Sequence, residues 1–166
     1  MAYRGVFGAF PYAARASDSW LFRSYAAVSA LVGGGLALLF TFGLVVLVAQ
    51  TAALAGGSLT LSRAFYVVVG LLLVGPVIAP TLLVARRHRR EGSTKRYDAA
   101  LALAGYLLVA SLYVGLVITV PPAQQDPPTG ALAPLVAALY ALPPAAAVGP
   151  PLVGVGTVWA AHRLAR

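Results

Sequence analysis

Residues 64–90 read AFYVVVGLLLVGPVIAPTLLVARRHRR: twenty-two uncharged positions, mostly apolar, then four arginines and a histidine in five. At 1.5 Å rise per residue the uncharged part makes a helix about 33 Å long, and a bilayer's hydrocarbon core is about 30 Å thick. The abrupt basic end is where such a helix would leave the acyl chains for phosphate headgroups. The same grammar holds outward along the chain, since 24–62, 99–125 and 127–162 also lack Lys, Arg, Asp and Glu. The expected fold is therefore all-α: an integral membrane four-helix bundle, with 1–166 a single domain and spans at about 24–50, 64–85, 99–120 and 131–161.

Composition agrees. Sixty per cent of the 166 residues are apolar and 10% are charged, against about 45–50% and about 25% in soluble domains. A soluble chain of this size would need more polar surface to cover its core, and no stretch is left over for a soluble domain. Cysteine is absent, which excludes disulfides, thiolate metal sites, iron–sulfur clusters and cysteine nucleophiles. Eleven Arg to one Lys, two Ile and no Asn read as the codon bias of a GC-rich prokaryotic genome.

Met1–Arg23 is too polar to span. Val6, Phe7 and Phe10 fall at helical spacing with Arg4 and Arg15 in reach of headgroups, which predicts a short helix in the membrane interface, interrupted at Pro11. Ser17-Asp18-Ser19 offers N-caps for a helix starting near Trp20. Ala53-Leu54-Ala55 resembles a signal-peptidase site. The apolar stretch before it is far longer than the roughly 7–15 residues of a secretory signal, so a retained anchor is expected.

Ser93 and Thr94 are candidate caps for the helix leading into span 3, which Pro121-Pro122 stops. The loop to Gly130 holds four prolines and should be extended and stiff. The last apolar segment, 131–161, would be about 46 Å as one straight helix. Pro143-Pro144 and Pro150-Pro151 lie inside it, so this span must be kinked or broken. Half-helices near 131–142 and 151–163 are one arrangement, and a single crossing from about 144 is the other.

The positive-inside rule sets the orientation. With both termini in the cytoplasm of a cell-membrane protein, eleven basic residues lie inside and only Arg63 outside. Trp20, Phe22, Tyr97 and Trp159 then fall at the cytoplasmic interface, where amphipathic rings prefer to sit.

Few residues offer chemistry. Arg86, Arg87, Arg89, Arg90, Lys95 and Arg96 form a topogenic collar whose expected partners are anionic headgroups; the loop is too short for a nucleic-acid groove. No ionisable side chain falls inside a span, as a proton relay or ion pathway would need. His88 and His162 sit at span ends among cations, so neither haem nor metal is expected. HExxH, GxSxG and paired acids are absent, and the hydroxyls in the spans should bond back to carbonyls of the preceding turn. Catalysis and cofactors are not expected.

Small residues recur every four positions in span 1, as Ala26-Ala30-Gly34 and Ser29-Gly33-Ala37, and in span 3 as Ser111-Gly115. Such ridges let helix backbones approach closely, which nominates Ala26, Ala30, Gly33 and Gly34 as packing positions. Span 2 carries Gly75-Pro76, Pro80-Thr81 and Ala85-Arg86-Arg87; span 4 carries Gly149-Pro150-Pro151, Gly156-Thr157 and Ala161-His162-Arg163. That partial likeness hints at a duplicated hairpin. Paired helices broken by Gly and Pro can line a transport site, here Gly75, Pro76, Pro80, Gly149, Pro150 and Pro151. The leading functional expectation is a non-enzymatic accessory or scaffold subunit that binds a membrane partner or a second copy of itself. The alternative is a small transporter or channel with a path along spans 2 and 4.

Overall fold

The computed structural model describes residues 5–52 and 57–165. Every element among them is helical: α1 Gly5–Ala16, α2 Trp20–Thr51, α3 Gly57–Arg90, α4 Lys95–Ile118, α5 Ala133–Tyr140 and α6 Gly149–Leu164, with 3₁₀ turns at Pro122–Gln124 and Pro144–Val148. Four stretches are long and apolar enough to cross a membrane: Trp20–Thr51, Thr60–Arg90, Lys95–Ile118 and Pro144–Leu164. Arg4, the Ala53–Gly56 segment and Arg166 lie outside the described residues. The chain forms two compact units, 1–102 and 103–166.

In the first unit α2 and α3 are antiparallel, and their contacts follow one register. Ser29 Oγ lies 2.9 Å from Thr81 Oγ1. Ile78 packs on Gly33, Phe40 on Gly70 and Tyr66 on Gly43. At the far end Arg63 donates from Nη2 to the Thr51 carbonyl at 2.9 Å and to Thr51 Oγ1 at 2.6 Å. Two aromatic rings thus drop into two glycine gaps, one from each helix, and touch each other with centroids 5.1 Å apart. Arg63 meanwhile serves a carbonyl in the last turn of α2, which has no partner within its own helix, and adds a cation where the helix dipole is negative.

α1 packs on α3 and α2, with Ala9 and Ala13 fully buried. It runs unbroken through Pro11, contrary to the expected interruption. Pro11 is exposed, so its ring lies off the buried side of α1, and the helix forgoes one hydrogen bond, to the carbonyl of Phe7. Ser19 caps α2 by accepting from the Phe22 amide at 3.3 Å.

α3 is also helical through Pro76 and Pro80, where a break was expected. Pro80 leaves the Pro76 carbonyl without its usual donor. On the adjacent Val77 carbonyl, Tyr25 Oη donates across from α2 at 2.6 Å. Val77 keeps its own helical donor, the Thr81 amide, so this bond ties α2 to α3 rather than replacing what Pro80 removes. Gly92, at φ +78° just past α3, supplies the left-handed turn that ends the helix.

In the second unit the backbone leaves the helical path at 141–143. Pro144–Val148 then feeds directly into α6, with Pro150 and Pro151 in its first turn. Of the two arrangements expected for 131–161, the continuous rod is Pro144–Leu164, and α5 is a separate piece of 8 residues. Pro150-Pro151 starts α6 instead of breaking it, because the first-turn amides need no intrahelical acceptor.

α4 and α6 meet at Gly154. A Cβ there would meet Ser111 Oγ and lie 2.9 Å from the Leu108 Cα, a backbone atom, whereas one at Gly156 would find open space. Gly154→Ala should therefore lower the unfolding midpoint in detergent, by about 1–3 kcal/mol of overpacking, while Gly156→Ala leaves it level or higher. Equal midpoints for the two variants would show that this close approach is absent.

Candidate functional site: the polar cluster at the α3–α4 turn

The first turn of α4 holds Asp98, whose side chain is 1% exposed. Burying a carboxylate demands partners, and three hydrogen-bonding groups meet it. Ser17 Oγ donates to Oδ2 at 2.5 Å, Ser93 Oγ donates to Oδ1 at 2.7 Å, and His88 Nε2 lies 2.8 Å from Oδ2. An acceptor-only carboxylate at that distance selects a protonated Nε2 on His88. One acid thereby joins four pieces of chain: the α1–α2 link, the last turns of α3, the 91–94 turn and α4. The ends of the helices favour the arrangement, since the acid sits at the start of α4 and the imidazole near the end of α3.

The surrounding links are tight. Ser17 Oγ also accepts from the Ser19 amide at 3.2 Å, and its carbonyl accepts from Arg23 Nε at 2.8 Å. Thr94 Oγ1 accepts from the Tyr97 amide at 3.2 Å, so Thr94 is the N-cap and Ser93 serves Asp98. Tyr97 and Phe22 are fully buried, whereas the sequence placed both rings at headgroup level. Trp20 and Trp159 are largely exposed.

The basic collar is not uniform. Arg86, Arg89, Arg90, Lys95 and Arg96 are exposed, but Arg87 is half-buried. Its guanidinium lies over the Tyr97 ring, 4.1 Å from the centroid. Arg87 Nε and Nη1 are shut off from solvent and have no hydrogen-bond partner.

Of the packing candidates, Ala26 and Gly33 are buried while Ala30 and Gly34 are exposed. Gly75 has open space beside it, as does Gly149. Pro80 is fully buried; Pro76, Pro150 and Pro151 are half-buried. The two stretches of partial likeness do different work. Thr81 faces Ser29 across a helix pair, whereas Thr157 Oγ1 bonds back to the Gly154 carbonyl at 2.7 Å.

A family model described as "Domain of unknown function (DUF8056)" matches residues 1–166. The chain belongs to this family. No curated protein and no solved structure matches it.

The Asp98 cluster escaped the sequence reading because Ser17 and Asp98 are 81 positions apart. One local signal existed: an acid four residues after a Thr N-cap, ten after a histidine that ends an apolar span. Ser17 and His88 both address the carboxylate, so the imidazole is not interposed between hydroxyl and acid as nucleophile activation requires. No group of three or more His, Cys, Asp or Glu suited to a metal occurs among the described residues. The arrangement can lock helix ends together.

Asp98→Ala should cost about 3–5 kcal/mol, the range for removing one partner of a buried pair. Ser17→Ala should cost about 1–3 kcal/mol, since the Ser19 amide also loses its acceptor. Thermal unfolding in detergent reads both, and an Asp98→Ala midpoint equal to wild type would remove the cluster from the fold's essentials.

Proposed function

We propose that this is a four-span membrane bundle, with both termini cytoplasmic, that acts by assembly as a non-enzymatic accessory or scaffold subunit. The observation that carries the reading is the asymmetry of α2. Its Ala26-Ser29-Gly33 face is buried, and Gly33 meets Ile78 of α3. The adjacent face, with Ala27, Ala30, Leu31, Gly34 and Leu38, is exposed. A Cβ at Gly34 or Gly35 would meet nothing within 4 Å. Each glycine costs about 1 kcal/mol relative to alanine in a helix interior. No contact at Gly34 or Gly35 offsets that cost, and close approach of another helix would.

The uncharged spans support a role without transport chemistry. α3 stays helical through Gly75-Pro76 and Pro80, so the transport alternative would have to rest on carbonyls freed by its prolines and not on unwound backbone. The exposed Val6, Phe7 and Trp20, beside Arg15 and Arg23, suit α1 to the headgroup boundary.

Lacking cysteine, the chain is its own background for topology. Glu91→Cys and Thr129→Cys both replace exposed residues. An impermeant maleimide applied to intact cells should label Thr129→Cys and spare Glu91→Cys, and the opposite pattern overturns the orientation. Purified in mild detergent, the protein should elute as an oligomer or with a second membrane polypeptide. Gly34→Leu should disperse that assembly without lowering the unfolding midpoint. A monodisperse wild-type monomer with no co-purifying chain would defeat the assembly reading.

A further inference from the structure

α5 is not needed to cross the membrane. The rod that follows it, Pro144–Leu164, has 21 residues, about 31 Å at 1.5 Å per residue, and matches a hydrocarbon core of about 30 Å by itself. α5 therefore sits at the end of a completed span, within the connection from α4 to α6. Its sequence, APLVAALY, has no polar side chain but that of Tyr140, and the chain is uncharged from 127 to 162. No residue of α5 is buried. Leu132, Leu135 and Leu142 are 66%, 57% and 42% exposed.

Two observations bear on what covers this helix. The exposed positions Pro134, Leu135, Ala137 and Ala138 spread over about 160° of its circumference at 100° per residue, whereas a single partner helix needs a stripe of roughly 100°. The backbone, moreover, asks little of water. The Ala133 amide donates to the Gly130 carbonyl, Val136 to Leu132, Ala141 to Ala137 and Leu142 to Leu139, at 3.0–3.2 Å. Pro134, Pro143 and Pro144 have no N–H to satisfy. Terminal amides that are matched or absent meet a condition that hydrocarbon imposes and water does not.

We propose that α5 is an anchor helix lying in the bilayer beside the end of the last span, its leucines among the acyl chains of one leaflet. That leaflet is the outer one in the orientation given above. Gln124, Gln125, Asp126 and Thr129 stay in water, and Gly130, at φ +79°, makes the turn between the two environments. The inference rests on the four-span reading, but on neither the orientation nor the assembly.

The test uses the full chain, which lacks cysteine, in dioleoyl phosphatidylcholine vesicles. A nitrobenzoxadiazole maleimide is attached at Leu135→Cys, with Thr129→Cys as the aqueous reference and Leu107→Cys as the mid-span reference. Iodide on both faces quenches from water, and phosphatidylcholine spin-labelled at acyl carbon 5 or 12 quenches from lipid. Iodide quenching at Leu135→Cys should be weaker than at Thr129→Cys by about fivefold or more. Carbon 5 should quench it more than carbon 12, as for a helix about 5–10 Å deep, and Leu107→Cys should show the opposite order. Should Leu135→Cys fail to fold, Leu132→Cys makes the same comparison. Three outcomes overturn the anchor: iodide quenching equal to that at Thr129→Cys, which places α5 in water; a probe reached by neither quencher, which places it under a second copy or another protein; or the carbon order of Leu107→Cys, which places it inside a span. Iodide access at Leu107→Cys would instead sink the four-span reading itself. Thr129 and α5 share one side of the membrane, so a reversed orientation leaves the comparison readable.

Discussion

Inside a hydrocarbon layer no water is available to hydrogen-bond a stray amide, carbonyl or hydroxyl, and each one left unpaired costs several kcal/mol. Four apolar helices place this chain under that constraint, and its hydrogen bonds answer to it. Ser29, Thr41, Thr51, Ser111 and Thr157 all donate to carbonyls three or four residues back in their own helices. The buried hydroxyl of Tyr25 finds the Val77 carbonyl of α3. Arg63 covers the end of α2. Even the break before α6 falls where 3₁₀ bonds such as Ala146 N to Pro143 O at 2.8 Å take over.

The α2–α3 pair divides its labour along its length. Near the basic end the contacts are polar, with Tyr25 on Val77 and Ser29 on Thr81. Further along they become steric, with Ile78, Phe40 and Tyr66 each set on a glycine. An apolar contact gains little in lipid, because the lipid tails are as apolar as the side chains. Close fit and buried hydrogen bonds must therefore hold the pair, and bulky groups docked on glycine backbone achieve the first. The apolar hollow of about 210 Å³ beside Phe40, Tyr66 and Gly70 opens where those rings leave space between the helices.

The four long apolar helices were legible because lipid writes its demand in composition: uncharged runs of fixed length, closed by arginines. Caps were legible for the same local reason, and Ser19 and Thr94 sit where the Ser/Thr pattern placed them. The small ridge of span 1 was legible as a ridge, but which of its two faces meets α3 was not, since Gly33 and Gly34 look alike in one dimension. Prolines misled where they were read as breaks. Pro11, Pro76 and Pro80 sit inside continuous helices, because whether a proline breaks a helix depends on the room its ring finds and on the packing that holds the helix around it. Neither property is local in sequence. The Asp98 cluster lay hidden for a related reason, its first partner being 81 residues distant.

The basic collar shows why a charge run should not be read as one feature. Position sets the role of each member: on α3, one helical turn covers Arg86 to Arg89, so successive cations point in different directions. Arg86, Arg89 and Arg90 face outward and need only an aqueous or headgroup environment. His88 turns in to Asp98 and closes the polar cluster. Arg87 turns in to Tyr97, the residue before that acid. Tyr97 and Asp98 thus receive neighbouring cations or donors of α3 on adjacent positions of α4, one through a ring face and one through a carboxylate. The carboxylate satisfies its donor; the ring face cannot, since it offers an aromatic π-cloud and no lone pair to the guanidinium edge. That inequality is built into the turn: of the two inward-facing residues of α3, His88 has its nitrogen matched by the Asp98 carboxylate, whereas Arg87 keeps Nε and Nη1 buried without an acceptor.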